Sequence, residues 1–481
     1  MKRLSPITLL IICCCFHFCT LHSDIEDSSK SQLTFSKDTI CFDTIFTTIG
    51  SVTKYVKVIN HNRKDLVIQE IKLKSNNSYF HLNIDGISTN QLNNITIPPK
   101  DSIYIFINVM VDTQNEDNPV IIEDAIEFTS NEGRKYVTLF AYGQNVNIIK
   151  SVFYDSNTTW NSSRPYLVMD SINVLNNSTL QIEEGTTIYF YKDSKMNIYG
   201  NIVAKGTNKN PIVFRGHRLD KVTDDYKYDE IAGQWYGINI APSDQDNQMN
   251  YCIIRNATSA LETGNLYSEK MCVLDLNNVI IHNNSYSGLY AINSKINATN
   301  CQITNSGSHN VYLIAGGDYS FVHCTISNYF GKDYNAKREE YPCLIITNAI
   351  KDGELLYYNA LTKSNFYNCI IDGSLDNEII FQLTDIADFN FLFENSAIKI
   401  DEGILNNFPQ NFSNCFFNEK INYLNSRSYP YDFSPDTLSF VIDKGDLNIV
   451  TRFNCYTDLL GKSRIADSLP DLGAFEFQKD K

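Results

Sequence analysis

Cys301-Gln-Ile-Thr-Asn305 and Cys324-Thr-Ile-Ser-Asn328 are two copies of the five-residue unit that decides the fold of this chain. The unit has a small or β-branched residue, an aliphatic residue two positions later and, in most copies, an Asn two positions after that. It recurs between residues 180 and 418. The copies at Cys324 and Cys369 are 45 residues apart, which predicts two turns, with Leu344-Ile-Ile-Thr-Asn348 as a further copy between them. At intervals of 27, 22, 23, 45, 27 and 19 residues, copies begin at Cys252, Val279, Cys301, Cys324, Cys369, Ser396 and Cys415.

The spacing and the alternation of this unit predict a solenoid built from strands. A repeat interval in the twenties is typical of a solenoid, and the two-residue alternation indicates a strand rather than a helix. The Leu-x-x-Leu-x-Leu pattern of leucine-rich repeats is missing from the unit. We therefore predict a parallel β-helix whose turns stack about 4.8 Å apart. Its repeated residues form columns along the coil, one of Cys and Val, one of Ile and one of Asn.

The composition indicates an acidic protein with more than one domain. At 481 residues the chain is too long for one ordinary core, although a solenoid can grow along its axis. Its 40 Lys and Arg against 55 Asp and Glu give a formal net charge of -15. Binding to nucleic acid requires a basic surface, so the composition argues against that class of partner. We expect a monomer.

The first 32 residues are predicted to export and attach the protein. Met1-Lys-Arg3 is positively charged, and the apolar run of residues 7–18 is too short to span a bilayer. The run ends at Cys19 and a polar stretch follows, as in bacterial lipoproteins. We predict a signal in residues 1–19, with Cys19 or Cys15 lipidated, and a tether in residues 20–32; an ordinary cleaved secretory signal is the alternative. The protein would then be anchored in the outer membrane by its lipid alone, at the cell surface or facing the periplasm.

Thirteen Cys residues in a secreted chain raise the question of disulfides. Five of them occupy the first column of the repeat, where stacked Cβ atoms lie about 4.8 Å apart. A disulfide needs about 3.8 Å between Cβ atoms and a specific dihedral angle, so we interpret these residues as small buried apolar side chains. The spacing of Cys and His matches no zinc site.

Residues 33–146 have a different pattern, in which short alternating runs are separated by turn signals such as Asp85-Gly86 and Pro98-Pro99. About seven short strands in about 110 residues predict a β-sandwich of immunoglobulin-like size. The order of the runs resembles PapD-like or ASH-type sandwiches, which serve as spacers or docking modules. The runs are residues 33–36, 54–60, 66–73, 79–84, 102–112, 121–130 and 135–143.

The whole chain resembles a family of surface lipoproteins from Bacteroides-type bacteria, which join such a sandwich to a right-handed, pectate-lyase-like parallel β-helix. The resemblance rests on Phe35-Ser36 and Phe42-Asp43-Thr44, on the glycine-bearing turns of residues 180–238, and on a C-terminal pattern. That pattern implies a cap in which Asp and Arg close the open end of the coil. We predict an all-β fold, with the sandwich in residues 33–146, the right-handed β-helix in residues 147–437 and the cap in residues 438–481. The C-terminal pattern comprises Asp443, Gly445, Asp458, Arg464, Asp471 and Glu476.

The first candidate site is the charged loop of residues 215–230, just before Trp235. It combines carboxylates for a hard cation such as Ca²⁺, basic groups for an acidic sugar, and rings that stack on a sugar face. Pectate-lyase-like enzymes act on acidic polysaccharides and abstract a proton with Arg or Lys, which makes Arg218 a candidate base. A solvated charged loop is the alternative interpretation. The ligand-binding candidates are Asp220, Asp224, Asp225, Tyr226, Tyr228, Asp229, Glu230 and Trp235.

Two further segments carry clustered charges. Glu378, Asp385 and Asp388 are predicted on adjoining strands, where Glu378 and Asp385 are candidate catalytic carboxylates. Residues 331–341 alternate in sign, which is typical of surface salt bridging. The sequence contains no nucleotide-binding loop, nucleophile elbow or metal motif, and it lacks the catalytic motifs of pectate lyases and polygalacturonases.

These observations favour a surface β-helix lipoprotein that binds a glycan or another extracellular ligand without turning it over. The alternative is a divergent polysaccharide lyase or glycoside hydrolase acting on acidic polysaccharide. Ca²⁺ is the one cofactor that the loop suggests, and the identity of the ligand stays open.

The lipid anchor predicts how the protein partitions between water and detergent. The wild-type protein should enter the detergent phase, and Cys19→Ala should move it to the aqueous phase because the acylated thiol is lost. Phase separation followed by immunoblotting measures this. Unchanged partitioning after replacement of both Cys15 and Cys19 would show that there is no such anchor.

Overall fold

The structure is a computed structural model that describes residues 33–113, 119–131, 133–223, 226–331, 338–466 and 469–477. Its architecture is all-β, as predicted: one large, entirely parallel sheet is joined to smaller antiparallel sheets. The chain divides into two compact units. The first contains residues 33–41, 51–110 and 122–141, and the second contains residues 42–50, 111–121 and the chain from residue 142 onward. None of the described helices is long and apolar enough to cross a membrane.

The N-terminal strands form two five-stranded sheets, ordered β1-β3-β8-β5-β6 and β2-β10-β9-β4-β7. Alternate side chains are buried, as Ile103, Ile105 and Ile107 of β8 show. Three observed strands were not among the seven predicted runs: β2, β6 and β7. The last contains Asn93-Asn94, a turn-like pair that hides the alternation. The strands are β1 (Leu33–Phe35), β2 (Thr39–Phe46), β3 (Lys54–Asn60), β4 (Leu66–Leu73), β5 (Phe80–Ile84), β6 (Ile87–Ser88), β7 (Gln91–Ile97), β8 (Ser102–Val109), β9 (Val120–Ser130) and β10 (Gly133–Gln144).

The second unit is a parallel β-helix with three faces, in which each strand pairs with the strands one turn before and after it. It opens with Asn147–Tyr154, which pairs along the whole of Tyr166–Val174. Face 1 comprises Thr158–Trp160, Thr179–Glu183, Asn201–Lys205, Asp246–Asn250, Val273–Asn277, the second parts of Ser287–Thr299 and His309–Val322, Leu361–Tyr367, Leu392–Glu394 and Phe412–Ser413. Face 2 comprises the first part of Tyr166–Val174, Thr187–Phe190, Ile212–Gly216, Cys252–Arg255, Ile280–Asn284, Gln302–Ser306, Thr325–Asn328, Ile370–Gly373, Ala397–Ile398 and Phe416–Phe417. Face 3 comprises the second part of Tyr166–Val174, Lys195–Ile198, Gly237–Ile240, Ser259–Gly264, the first parts of Ser287–Thr299 and His309–Val322, Leu344–Thr347 and Ile379–Gln382.

Shorter elements project from the coil or follow it. Three two-stranded hairpins pair Lys221–Thr223 with Tyr226–Lys227, Ala349–Asp352 with Leu355–Tyr358, and Tyr423–Asn425 with Asp432–Pro435. The helices are α1 (Glu402–Asn407) and α2 (Leu447–Phe453), with 3₁₀ turns at Tyr228–Glu230 and Pro409–Asn411.

The repeat unit lies on face 2 in the predicted register. Ile281 pairs with Ile303, Ile303 with Ile326, and Ile326 with Ile371, and all four are completely buried. The Cys column stacks beside them in the same order, and its thiols are free, as predicted. Outside the column, the thiols of Cys272, Cys343 and Cys455 are free too. The columns therefore serve as the core of the coil.

The predicted extra turn between Cys324 and Cys369 is wrong. Strand Thr325–Asn328 pairs directly with Ile370–Gly373, so the 45 residues form a single turn. Leu344 belongs to face 3, where it pairs with Val311 and Ile379. Residues 329–343 and the hairpin at residues 349–358 supply the extra length. All three faces bury alternate residues, so the pattern of one strand does not reveal the face to which it belongs.

A second ladder of turn residues precedes the Cys column, at the corner between faces 1 and 2. Each member has a φ between 45° and 57°, a left-handed conformation that Asn tolerates better than most residues. The predicted Asn column after the Ile is also left-handed at Asn256, Asn283 and Asn305. The sequence analysis did not identify the second ladder. Its members are Tyr251, Asn278, Asn300, His323, Asn368, Asn395 and Asn414.

Stacked aromatic rings fill the last turns of the core. On face 1 the ring centroids of Phe321 and Phe366 lie 4.9 Å apart, those of Phe366 and Phe393 4.5 Å, and those of Phe393 and Phe412 5.3 Å. Helix α1 occupies the place of a further face 3 strand, and Phe408 after it packs against the end of the core. This segment closes the coil.

The C-terminal tail, described over residues 419–466 and 469–477, lies along the outer side of face 2, so the expectation that it closes the open end is corrected. Val441 and Leu472 pack on Ile370 of that face. Buried Arg464 donates to Glu476 Oε1 at 2.6 Å and to Asn300 Oδ1 at 2.9 Å. The Asp and Arg residues of the C-terminal pattern thus fasten the tail to the second ladder of turn residues, at the corner between faces 1 and 2.

The buried Ile column predicts a severe defect for Ile303→Asp. The substitution places a carboxylate between Ile281 and Ile326 without a partner, which costs more than about 4 kcal/mol. Hydrogen exchange across residues 252–328 should rise to the level of an unfolded chain. The exposed Lys295→Asp on the same turn is the matched control and should exchange like wild type. Equal protection in both variants would contradict the assigned register.

Candidate functional site

The carboxylate of Asp229, in the charged loop, is held by two arginines of face 2. Arg215 Nη2 lies 2.7 Å from Asp229 Oδ1, and Arg255 Nη1 lies 2.9 Å from Oδ2. The Tyr429 hydroxyl from the C-terminal tail donates to Oδ2 at 2.7 Å. His282 follows Arg255 in the same outward column, and burial lowers its pKa to about 3. We call these ion pairs the Asp229 lock, because they fasten the charged loop to face 2 beneath the tail.

The rest of the loop is also paired internally. Arg218 donates to both oxygens of Asp220 at 2.9 and 2.5 Å, and its guanidinium lies 3.7 Å from the centre of the Tyr228 ring. Glu230 accepts the backbone N–H of Lys227. Tyr226 lies in the short hairpin strand Tyr226–Lys227.

These pairings contradict the roles expected of Asp220 and Asp229 as cation ligands and of Arg218 as a base. Asp220 and Asp229 are bound to arginines, and Arg218 is held as a cation by Asp220. Asp224 and Asp225 lie outside the described residues. Within the described ranges, no three His, Cys, Asp or Glu side chains come together as a metal site.

Trp235 is not a ligand-binding residue, contrary to the prediction. Its side chain is 1% exposed inside the coil, and its ring stacks on Phe190 with centroids 3.8 Å apart. Its indole N–H donates to the Arg255 carbonyl at 3.0 Å. The Gly-flanked Trp thus belongs to the core.

Glu378, Asp385 and Asp388 do not form a catalytic group. Glu378 is completely buried, 2.5 Å from Arg338 Nη2, and accepts the backbone N–H of Cys343 at 2.9 Å. Asp385 and Asp388 lie in the exposed segment after Ile379–Gln382 and not on adjoining strands. Glu378 therefore fastens the segment before Leu344–Thr347 to the coil.

The outer side of face 3 carries the candidate site, here called the aromatic face. Asn197 pairs with Asn239, which pairs with Glu262. Glu262 in turn pairs with Tyr290, and Tyr290 with Tyr312. These five side chains stand outward on successive turns, so the row is about 19 Å long at the usual strand spacing.

A cleft of about 400 Å³ opens at the start of this row. Tyr236 stands beside it, 52% exposed, and Lys195 lies at its edge. The cleft thus offers one aromatic ring, amides and two opposite charges. Its polar lining residues are Lys195, Asn197, Asn239, Thr258, Ser259 and Glu262.

A tyrosine cluster, made of Tyr286, Tyr290 and Tyr312 around His309, follows the cleft. The His309 ring centroid lies 5.1 Å from that of Tyr286 and 4.9 Å from that of Tyr312, with planes 74° and 82° apart. Tyr290 and Tyr312 meet edge to face at 5.4 Å. Three of the four ring pairs are therefore close to perpendicular, and the Tyr290 and His309 planes are 35° apart.

Burial and the neighbouring groups keep these side chains uncharged at neutral pH. Partial burial, reinforced by Tyr286, Tyr312 and Glu262, raises the pKa of Tyr290 to about 12. Burial lowers the pKa of His309 to about 4. The cluster therefore presents phenol groups and a neutral imidazole, which suit the apolar faces and hydroxyl groups of sugars.

The sequence analysis did not single out the aromatic face, although a signal for it was present. Tyr290 and Tyr312 are 22 residues apart, the same interval that separates Val279 from Cys301. Residues at the repeat interval stack on successive turns whether they point inward or outward. A search for aromatic residues separated by the repeat interval would have identified this pair.

No family model matches the chain, and no curated protein matches it. Several solved structures are similar to short parts of it. The Vibrio cholerae VesB protease is 15% identical over 24% of this chain and 32% of its own, with a TM-score of 0.17. A family 123 glycoside hydrolase from Clostridium perfringens is 11% identical over 24% of this chain and 26% of its own, with a TM-score of 0.17. The ASH / PapD-like domain of human CEP192 is 10% identical over 30% of this chain and 97% of its own, with a TM-score of 0.18.

These similarities identify neither a family nor an activity. The chain spans less than a third of the protease and of the glycoside hydrolase. TM-scores this low do not bear on function.

The Asp229 lock predicts a stability defect in Asp229→Ala. Two guanidinium groups would lose their shared carboxylate in a partly buried site, which costs about 2 kcal/mol. The midpoint of thermal unfolding should fall clearly. Asp244→Ala is the matched control, because the Lys270–Asp244 pair is exposed and contributes little. Equal midpoints for the two variants would contradict the lock.

Proposed function

We propose that this protein is a surface lipoprotein that binds a glycan along the aromatic face without cleaving it. The lipid on Cys19 or Cys15 would hold it to the outer membrane. The sandwich of residues 33–146 would act as a spacer, the coil of residues 147–437 would carry the site, and residues 438–481 would protect face 2.

One observation carries this proposal: polar and aromatic side chains stand in register on five successive turns of an open face. Tyr290 and Tyr312 supply rings, Asn239 supplies an exposed amide group, and Glu262 supplies an acceptor; Asn197, at the start of the row, is 8% exposed. A linear polymer lying along the coil would meet a new side chain about every 4.8 Å. Such a row of repeated contacts suits a repeating ligand better than a small molecule.

Binding is favoured over turnover by the state of the candidate catalytic groups. Asp229 and Glu378 are ion-paired, and Arg218 is held by Asp220. A lyase needs a base and a hydrolase needs an acid and a base within reach of the sugar. Two of the three groups that sequence analysis put forward for those roles, Arg218 and Glu378, are therefore engaged elsewhere, and the third, Asp385, lies in the exposed segment after Ile379–Gln382.

Replacement of single rings tests the aromatic face. Tyr286→Ala and Tyr290→Ala should each weaken retention of the bound glycan about ten-fold, because each removes one stacking surface of about 1.4 kcal/mol. Tyr456→Ala is the matched control, since Tyr286 and Tyr456 are both 40% exposed and Tyr456 lies in the tail. Affinity electrophoresis against a panel of polysaccharides measures retention.

The same incubations test the alternative of an enzyme. A lyase would release unsaturated sugars that absorb in the ultraviolet, and a hydrolase would release new reducing ends. We expect retention with neither product. Steady release of either product by wild type, lost in Tyr290→Ala, would refute a pure binder.

A further inference from the structure

The charge around the tyrosine cluster indicates which sugars the aromatic face selects. Two carboxylates act on these phenols. After burial, Glu339, Tyr341 and Glu262 raise the pKa of Tyr286. Glu262 also acts on Tyr290, whose neighbour it is in the register.

Glu339 is fixed beside the cluster by its backbone. Its N–H donates to the Gly307 carbonyl at 2.7 Å, two residues before His309. The adjacent Arg338 does not neutralise it, because that guanidinium is buried and bound to both oxygens of Glu378 at 2.8 and 2.5 Å.

One described cation, Lys195, lines the cleft together with Glu262 and lies further from the tyrosines. Lys195 borders the cleft on the turn of Asn197, two turns before Glu262 and three before Tyr290. Three turns correspond to about 14 Å, beyond the screening length of about 8 Å at physiological salt. The described part of the cluster is therefore a negatively charged aromatic box.

His309 adds a buried acceptor to this box. Its Nδ1 lies 3.1 Å from Ser308 Oγ, and its Nε2 has no hydrogen-bond partner among the described residues. In the tautomer whose Nδ1 donates to Ser308, the lone pair of Nε2 is free to accept an N–H. The side chain is 2% exposed, so leaving this atom unpaired is costly.

We infer that the tyrosine cluster selects glycans that carry a protonated amine, that is, polymers of deacetylated amino sugars. This inference rests on the proposed function. Aromatic walls attract a cation through their ring faces, and Glu262 and Glu339 add charge complementarity. A uronic acid polymer would instead place its carboxylates against these two groups, and the repulsion between like charges would weaken its binding. The ligand class thus differs from the acidic polysaccharides expected from sequence.

Three oligosaccharides of equal length test the inference with the full chain at pH 6 and low salt. The probes are a glucosamine oligomer, an N-acetylglucosamine oligomer and a galacturonic acid oligomer. The first two share a backbone and differ in the charged amine. We expect the glucosamine oligomer to bind at least ten-fold more tightly than the acetylated one, and the galacturonic acid oligomer to bind weakest, by isothermal titration calorimetry.

Charge-only variants separate selectivity from folding. Glu262→Gln should remove most of the preference for the amine, measured as the ratio of the two affinities, because it removes one of the two carboxylates. Glu354→Gln, in the exposed hairpin at residues 349–358, is the matched control and should keep the preference. Tyr290→Phe should keep the preference for the amine, because the ring is what the cation meets.

The outcomes distinguish this inference from the proposed function. Equal binding of the amine and acetylated oligomers, or tightest binding of the acidic one, overturns amine selection while glycan binding stands. Failure of all three oligomers and of the polysaccharide panel overturns the proposed function itself. Tight binding of polylysine with the same dependence on Glu262 would overturn the glycan as ligand and indicate a basic protein partner.

Discussion

The coil depends on one constraint: an inward side chain can be buried only by the equivalent side chain one turn away. A single turn of three short strands encloses no core, so the Ile303 column is stable only because Ile281 and Ile326 lie above and below it. A slip of one residue would turn the whole column toward solvent. The same constraint explains why small Cys side chains recur beside it without forming disulfides, since stacked strands hold them at strand spacing.

Register on the inside also sets register on the outside, and this is the source of the aromatic face. Because Leu289 must stack on Val311, the outward residues that follow them, Tyr290 and Tyr312, lie side by side on successive turns. The fold thus aligns side chains that are far apart in sequence with no need for a dedicated binding loop. The hairpin at residues 349–358, which projects from the coil, leaves the row intact.

Whether an outward row can bind a ligand depends on what covers it. The outward column of face 2 contains Arg255, His282, Thr304, Ser327 and Asp372. Side chains of these types also line the catalytic clefts of enzymes. The C-terminal tail covers it and hydrogen-bonds some of its polar groups: the Tyr423 hydroxyl lies 2.7 Å from Ser327 Oγ. Face 3 has no such cover in the described part of the chain at Tyr236 and Tyr286, and its rings stay accessible. The tail thus covers face 2 and leaves these two rings of face 3 accessible.

The sequence by itself determined the strand type, the all-β class and the register of face 2, because the alternation within each unit and the interval between units are local properties of the chain. It did not determine that the 45 residues after Cys324 make one turn, that Trp235 points inward, or that Asp229 is locked by Arg215 and Arg255. Those facts depend on contacts between residues far apart in sequence, above all on where the tail lies. A charged loop has the same composition whether its carboxylates face solvent or are paired with arginines one turn away, and only the tertiary structure decides between the two.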